Sequence, residues 1–152
     1  MSELKEGDKA PAFSASGSDG KTYTLKDLAG QTVVLYFYPR DNTPGCTIEA
    51  CEFRDSLAEF RRAGAVILGV STDDLKSHAG FIEKQQLNFV LLADTDKKIH
   101  EAYGVWGKKK FMGREFMGTL RTTFVIGPDG HLKKIFRMVK PKGHAAEVLA
   151  AV

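Results

Sequence analysis

The stretch TVVLYFYPRDNTPGCTIEACEFRD, residues 32–55, joins a run of β-branched and aromatic residues to a polar turn and then to a helical pattern. The run at 32–38 is short and apolar, which predicts a buried strand. Pro44 suits the first turn of a helix, where a residue without an N–H leaves no helical hydrogen bond unmade. Beyond it, up to Gly64, apolar positions recur at roughly helical spacing: Ile48, Cys51, Leu57 and Phe60. The stretch therefore predicts a strand, a turn and a helix, with Cys46 at the junction.

Strands and helices also alternate along the rest of the chain. The predicted strands span residues 65–71, 88–94, 122–127 and 131–138, after an N-terminal hairpin of 12–16 and 21–25. Helices are predicted from a cap at 71–74 to about 86, from about 96 to 103, and from 143 to 151. This order predicts an α/β, thioredoxin-like fold, in which helices flank a mixed central sheet and the residues before Thr32 form an extension. With 152 residues and no linker or repeat, we expect a single domain over residues 1–152.

Composition and charge argue against several classes of protein. Twenty-two basic and nineteen acidic residues give a net charge of +3, an excess too small to indicate nucleic-acid binding. The N-terminus is polar and no apolar run is long enough to cross a membrane, so we expect a soluble, cytoplasmic protein without a membrane partner. Two cysteines do not form a disulfide framework in a chain of this length. In a reducing compartment, such a pair is typical of a catalytic or metal-binding site.

Cys46 lies where a cysteine can become reactive. A thiol reacts as its thiolate, and its ordinary pKa of about 8.5 must be lowered for the thiolate to form at neutral pH. The unpaired amides and the dipole of a helix N-terminus favour that anion. Gly45 lets the backbone come close, and Thr43 can direct its hydroxyl at the sulfur or at a substrate. A lone cysteine is more often a small buried hydrophobe, but the Thr-Pro-Gly-Cys turn favours the reactive interpretation.

Two charged residues are expected to join Cys46. Arg121 precedes the strand 122–127, whose neighbour in such a sheet is the strand ending at Tyr38, so its permanent positive charge can reach the same pocket. Glu49 lies one helical turn beyond Cys46 on the same face and can orient that guanidinium. Cys51 fits the apolar stripe of the helix, and the pattern alone favours neither a core role nor a functional one.

The segment PRDNTPGCTIEACEFRD, residues 39–55, resembles the active-site segment of the peroxiredoxins. A second cysteine five residues after the first is similar to their bacterioferritin-comigratory, or Q-type, branch. The family's Pro-x-x-x-Thr-x-x-Cys pattern is matched by Pro39, Thr43 and Cys46, and it is joined later by Arg121. Residues 7–39 and 103–130 resemble the same family in the same order, so the resemblance covers nearly the whole chain.

This resemblance implies a peroxidase that reduces hydrogen peroxide and organic hydroperoxides. It implies that Cys46 attacks the peroxide, that Thr43 and Arg121 hold the peroxide and activate the thiolate, and that Pro39 shields the site. It also implies that Cys51 resolves the Cys46 sulfenic acid as an intramolecular disulfide, which thioredoxin or a similar dithiol reduces. The resemblance implies no metal or organic cofactor, and the Q-type branch implies a monomer.

The implied disulfide conflicts with an intact helix. Residues five apart in an α-helix rise by about 7.5 Å and are rotated by about 140°, so their side chains diverge. A disulfide needs Cα atoms about 4.4–6.8 Å apart with facing side chains. We therefore expect oxidation to unwind the first turns of the helix, from Cys46 to beyond Cys51, and to release Phe53 from its packing. Pro44 and Gly45 favour a helix start that can fray.

Two alternative functions would also depend on the cysteines. A disulfide reductase of the thioredoxin class shares the fold, but it needs a Cys-x-x-Cys spacing and a proline where this chain has Arg121 and Thr122. A zinc module would draw on Cys46, Cys51, His78 and His100. However, its thiols would lie on different helix faces, outside the usual spacing, and each histidine is more readily a surface or satisfied polar residue.

A third alternative rests on the basic run Lys108–Lys110, which Arg114 follows. Nearby aromatic residues suggest a surface for nucleic acid or a protein partner: Trp106, Phe111 and Phe116. A run of charges between glycines is more typical of a solvated loop. We therefore interpret this segment as a loop whose apolar residues cover the site or contact the reductant.

Overall fold

A mixed sheet forms the centre of the molecule in a computed structural model that describes residues 3–152. Within these residues it contains seven strands: β1 Ser14–Gly17, β2 Thr22–Thr24, β3 Thr32–Phe37, β4 Ala65–Ser71, β5 Val90–Ala93, β8 Thr122–Ile126 and β9 Leu132–Phe136. Strands β6 Trp106–Phe111 and β7 Arg114–Thr119 lie outside this sheet. The order of strands across the sheet is β2-β1-β5-β4-β3-β8-β9. Strands β3, β4 and β5 run parallel, whereas β8 pairs antiparallel with β3 and β9 with β8. The predicted α/β fold, with a mixed sheet and an N-terminal hairpin, is confirmed.

Helices cover both faces of this sheet. They are α1 Pro44–Arg62, α2 Leu75–Gln85, α3 Lys98–Ala102 and α4 His144–Leu149, and a short 3-10 turn spans Lys26–Leu28. Because the side chains of β3 alternate between two hydrophobic clusters, with Tyr36 in one and Phe37 in the other, the whole strand is buried. This explains why its sequence is continuously apolar. Among residues 3–152, no helix combines the length and apolarity needed to cross a membrane.

The interpretation of Lys108–Lys110 as a loop is wrong. These residues lie in β6, Trp106–Phe111, which pairs with β7, Arg114–Thr119, as an antiparallel ribbon outside the main sheet. Met112 and Gly113 turn the chain with positive φ angles of 51° and 79°, a conformation suited to two-residue hairpin turns. Most of the ribbon is exposed, so its strands carry no alternation of apolar and polar residues that would predict them.

The pairing of β3 with β8 brings distant parts of the chain to one end of the sheet. Phe37 pairs with Thr122, so Arg121 lies beside the carboxyl end of β3. The chain leaves that end through Tyr38 and Pro39 and enters α1 at Pro44. Reactive groups in such folds gather beyond the carboxyl ends of the strands, and the start of α1 lies there.

Candidate active site

Cys46 lies in the first turn of α1 and is 1% exposed. The residue before this helix, Thr43, has extended backbone angles, and its side chain does not cap the first amides. The N-terminal end of the helix therefore presents unpaired N–H groups and the positive end of its dipole beside the sulfur. The sulfur therefore lies next to hydrogen-bond donors of the helix start.

Arg121 contacts both Cys46 and Glu49. Its Nη2 donates to Cys46 Sγ at 3.3 Å, and its Nη1 donates to Glu49 Oε1 at 2.7 Å. A Cβ atom on Gly45 would lie 3.4 Å from Nη2, so the glycine lets the guanidinium pack against the helix start. The structure thus brings together three residues that the sequence assigned to one pocket. The contact spans 75 positions in the chain and depends on the pairing of β8 with β3.

Glu49 is a buried carboxyl beneath this contact. Burial raises the pKa of Glu49 from 4.5 to about 7, although the charge and hydrogen bond of Arg121 act to lower it. Within residues 3–152, Glu49 Oε2 has no hydrogen-bond partner, and neither has the buried hydroxyl of Tyr36. An ionised Glu49 is therefore stabilised through one oxygen only, and near neutral pH its two protonation states are close in free energy.

Thr43 and Pro39 lie in the turn that precedes α1. The Thr43 hydroxyl donates to the backbone carbonyl of Arg40 at 2.9 Å, so its proton points into the turn and its lone pairs stay available. Pro39 directly follows the strand extension at Tyr38 and is half-buried. Both residues therefore lie in the short segment that joins β3 to the helix turn holding Cys46.

Cys51 lies in the same uninterrupted helix as Cys46, and both are free thiols. The Cys51 side chain is partly exposed and donates to Gln85 Oε1, at the end of α2, across 3.6 Å. Arg54 makes a second link there, because its Nη1 donates to the Gln85 carbonyl at 2.6 Å. The second thiol is thus directed at α2, away from the pocket that holds Cys46 and Arg121.

The histidines of the zinc alternative lie elsewhere. Both His78 and His100 are buried and satisfied, each with one ring nitrogen on an aspartate: Asp41 for His78 and Asp94 for His100. Neither is the surface residue that the sequence suggested as one possibility. In the described part of the chain, no group of three or more histidine, cysteine or acidic residues is arranged to hold a metal ion.

Two residues near the site were missed by sequence reasoning. Asp41 lies between Pro39 and Thr43 and is buried, and its Oδ2 lies 2.7 Å from His78 Nδ1. An acidic residue inside the Pro-x-x-x-Thr motif was an available signal, but its partner lies 37 positions away. Lys109 of β6 is half-buried, and burial, followed by the charge of Arg121, lowers the pKa of its amine. No sequence signal distinguished it from Lys108 and Lys110.

Comparison with known proteins gives one consistent result. A model of the AhpC/TSA family matches residues 6–135. The chain is 50% identical over 146 residues to peroxiredoxin Bcp of Bacillus subtilis, covering 96% of this chain and 93% of that one. It is 45% identical over 149 residues to peroxiredoxin Bcp of Escherichia coli K12, with 98% and 96% covered. Among solved structures, it is similar to the bacterioferritin comigratory protein of Xanthomonas campestris, described for its alkyl peroxide reduction activity. That match has 44% identity, a TM-score of 0.87, and coverage of 91% of this chain and 88% of the other.

The raised pKa of Glu49 predicts how stability changes with pH. Between 4.5 and about 7 the folded protein keeps a proton that the unfolded chain has lost, so the wild type loses stability as pH rises through this window. At about 1.4 kcal/mol per pH unit, the loss is on the order of 3 kcal/mol. The glutamine in Glu49→Gln cannot ionise. The free energy of unfolding of this variant, relative to that of the wild type, should therefore increase by about this amount between pH 5 and 8.

Urea unfolding of both proteins at several pH values measures this difference. Glu59→Gln is the matched control, because Glu59 lies on the same helix but is exposed, and we expect no pH-dependent difference for it. A constant gap between Glu49→Gln and the wild type from pH 5 to 8 would contradict the prediction.

Proposed function

The chain belongs to the AhpC/TSA family and, within it, to the Bcp peroxiredoxins, and from this premise we propose which of its residues reduce a hydroperoxide and how. The protein is a thiol-dependent peroxidase. We assign the attack on the peroxide to Cys46, the activating cation to Arg121 and its orientation to Glu49. The observation that carries the assignment is the Arg121 Nη2 contact with Cys46 Sγ at 3.3 Å, beside the amides that begin α1.

In the first step, the Cys46 thiolate attacks the nearer peroxide oxygen and the O–O bond breaks. The sulfur becomes a sulfenic acid, and the other oxygen leaves as water or an alcohol after taking up a proton. Negative charge moves from the sulfur along the O–O bond, where Arg121 and the free amides of the first turn can stabilise it as an oxyanion hole does. Thr43 supplies a hydroxyl at the edge of this path, and Pro39 shields it from water.

In the second step, the Cys51 thiol attacks the sulfenic sulfur, which releases water and forms the Cys46–Cys51 disulfide. Thioredoxin or a similar dithiol then reduces the disulfide by exchange. Both cysteines belong to one helix, so one chain is sufficient for the cycle. We therefore propose a monomer, and we further propose that it is a cytoplasmic protein of one domain that needs neither metal nor organic cofactor. A thioredoxin-like disulfide reductase is less well supported, because the two thiols lack the Cys-x-x-Cys spacing and Arg121 and Thr122 lie where such reductases have a proline.

The second step requires α1 to open. The helix is continuous from Pro44 to Arg62, and a five-residue spacing holds the two side chains apart while it stays intact. Opening would break the Cys51 and Arg54 links to Gln85 and would release Phe53, whose ring stacks on Tyr36 at 4.7 Å. The oxidised state is thus a local order-to-disorder switch.

The cysteines give the most direct test of the cycle. Cys46→Ser should reduce peroxide consumption to background, because the hydroxyl is a far weaker nucleophile than a thiolate. Cys51→Ser should react once, giving a sulfenic acid that dimedone traps, and should not turn over with thioredoxin. Mass spectrometry and thioredoxin-coupled turnover measure both outcomes. Substantial consumption by Cys46→Ser would overturn the assignment, and full cycling by Cys51→Ser would remove Cys51 from it.

Arg121→Ala should slow the peroxide step by about 10²–10³-fold, the usual cost of removing one donor that stabilises transition-state charge. The loss should persist at every pH from 5 to 9, because a guanidinium stays charged throughout this range. Stopped-flow measurement of the first turnover gives the rate. Arg61→Ala, an exposed arginine near the other end of α1, is the control. Unchanged kinetics in Arg121→Ala would refute its role.

Amide hydrogen exchange tests the opening of α1. Residues 46–55 should exchange slowly in the reduced protein and much faster in a protein shown to carry the Cys46–Cys51 disulfide. Helix α2 is the internal reference, and its protection should change less. Equal protection of residues 46–55 in the two redox forms would rule out the switch.

A further inference from the structure

A buried carboxylate fixes the turn that leads into α1. Asp41 accepts from the Tyr38 hydroxyl at 2.6 Å through Oδ1, and from Ser77 Oγ at 2.8 Å and His78 Nδ1 at 2.7 Å through Oδ2. The Asp41 and His78 side chains are 1% and 0% exposed. The backbone N–H of Asp41 also donates to Asp73 Oδ2 at 2.8 Å. The turn between Pro39 and Thr43 is thus tied to β3, to α2 and to the segment between β4 and α2.

The hydrogen bonds of His78 suit a doubly protonated ring. Its Nδ1 lies 2.7 Å from the Asp41 carboxyl, and its Nε2 lies 2.9 Å from the Leu92 carbonyl oxygen in β5. A carbonyl oxygen only accepts, and so does a carboxyl group when it is ionised, so in an Asp41–His78 ion pair both ring nitrogens donate. We infer that His78 is an imidazolium that is buried against its counter-ion.

We propose that Asp41 and His78 are positioning residues for the peroxide step: their buried ion pair holds the Pro39–Thr43 turn, and the step slows when His78 loses its proton. Neither residue touches the reacting atoms. They act through the turn that ends at Thr43 and leads into the first turn of α1, where Cys46 lies. The inference rests on the proposed function of Cys46.

Deprotonation of His78 turns one attractive contact into a repulsive one. If the remaining proton stays on Nε2, the Nδ1 lone pair faces the Asp41 carboxylate; if it stays on Nδ1, the Nε2 lone pair faces the Leu92 carbonyl. Either arrangement places two acceptors within 3 Å of each other, which a buried site cannot relieve with water. In the first case the turn loses its His78 link to α2, and in the second case α2 loses its link to β5.

The direction of the pH dependence follows from the groups around the ring. Burial favours the neutral ring, but the hydrogen bond and charge of Asp41, helped by Asp73, outweigh it and raise the pKa of His78 above 6.5. Tyr38 is the other titratable group in the cluster, and burial raises the pKa of its hydroxyl, so it stays neutral. The imidazolium, and with it the ion pair, is therefore lost as pH rises through the raised pKa of His78.

His100 provides a matched comparison within the same protein. Its Nδ1 also lies on a buried aspartate, Asp94 at 2.6 Å, but its Nε2 faces the Thr119 hydroxyl at 2.9 Å. A hydroxyl can donate as well as accept, so the direction of this second hydrogen bond is not fixed as it is at the Leu92 carbonyl. The Asp94–His100 pair holds the start of α3 and lies outside the turn before Cys46.

The test measures the peroxide step alone. In a Cys51→Ser background, loss of the Cys46 thiol after mixing with hydrogen peroxide gives the rate at each pH from 5 to 10. We expect the rate to fall about tenfold on an alkaline limb of the pH profile. This is less than the roughly hundredfold loss that a misplacement of about 1 Å can cause.

His78→Asn should be slow by a similar factor at neutral pH and should lack the limb. Asp41→Asn should shift the limb to lower pH, because the imidazolium loses its counter-ion, whereas His100→Asn should keep it unchanged.

Two further measurements keep the inference testable if a variant does not fold. Circular dichroism and urea unfolding identify variants with an altered fold. In the Cys51→Ser protein with an otherwise native sequence, ¹⁵N NMR of the histidine rings should show His78 doubly protonated at neutral pH. The midpoint of its titration should coincide with that of the alkaline limb.

A neutral His78 ring at pH 7, or a limb that persists in folded His78→Asn, would overturn the proposal. Peroxide-driven thiol loss without such a limb refutes this inference alone, whereas an unreactive Cys46 thiol refutes the proposed function.

Discussion

One guanidinium joins the two functional groups at the start of α1. Arg121 binds the Cys46 sulfur through one nitrogen and the Glu49 carboxyl through another, and the two acceptors lie one helical turn apart. A largely buried cation needs such partners, because the free energy lost on leaving water must be offset by hydrogen bonds and opposite charge. Pairing of β8 with β3 delivers Arg121, and Gly45 leaves room for it. The site therefore depends on the packing of a whole sheet and not on the cysteine turn alone.

The proposed cycle needs the same helix to be well ordered in one state and open in another. In the proposed peroxide step, Cys46 uses the first-turn amides and the Arg121 contact, both of which require regular helix. The proposed disulfide requires that helix to unwind past Cys51. The links that oppose unwinding are few and specific, chiefly those from Cys51 and Arg54 to Gln85 and the packing of Phe53. Asp41 lies just before the helix, so a firm turn can remain in place while the residues after it move.

Sequence reasoning was most successful where local patterns and strand order were sufficient. The apolar run at 32–38, the Pro44 start and the order of strands predicted the junction that holds Cys46, and the neighbouring strands predicted the approach of Arg121. It was wrong about Lys108–Lys110, because a ribbon exposed on most of its surface carries no buried stripe to reveal its strands. It missed the Asp41–His78 pair, since a buried ion pair joining residues 37 positions apart leaves no periodic pattern. The near-neutral pKa of Glu49 was equally hidden, because it arises from burial by the complete fold.

The 75-residue separation of Arg121 and Cys46 has a consequence for the nascent chain. During synthesis, both cysteines and all of α1 leave the ribosome well before β8 can be added to the sheet. Until β8 pairs with β3, Cys46 lacks its contact with the Arg121 guanidinium. Long-range pairing of this kind forms late, after its loop-closure entropy has been overcome. On the proposed mechanism, the chain thus acquires its peroxide chemistry only when β8 docks against β3.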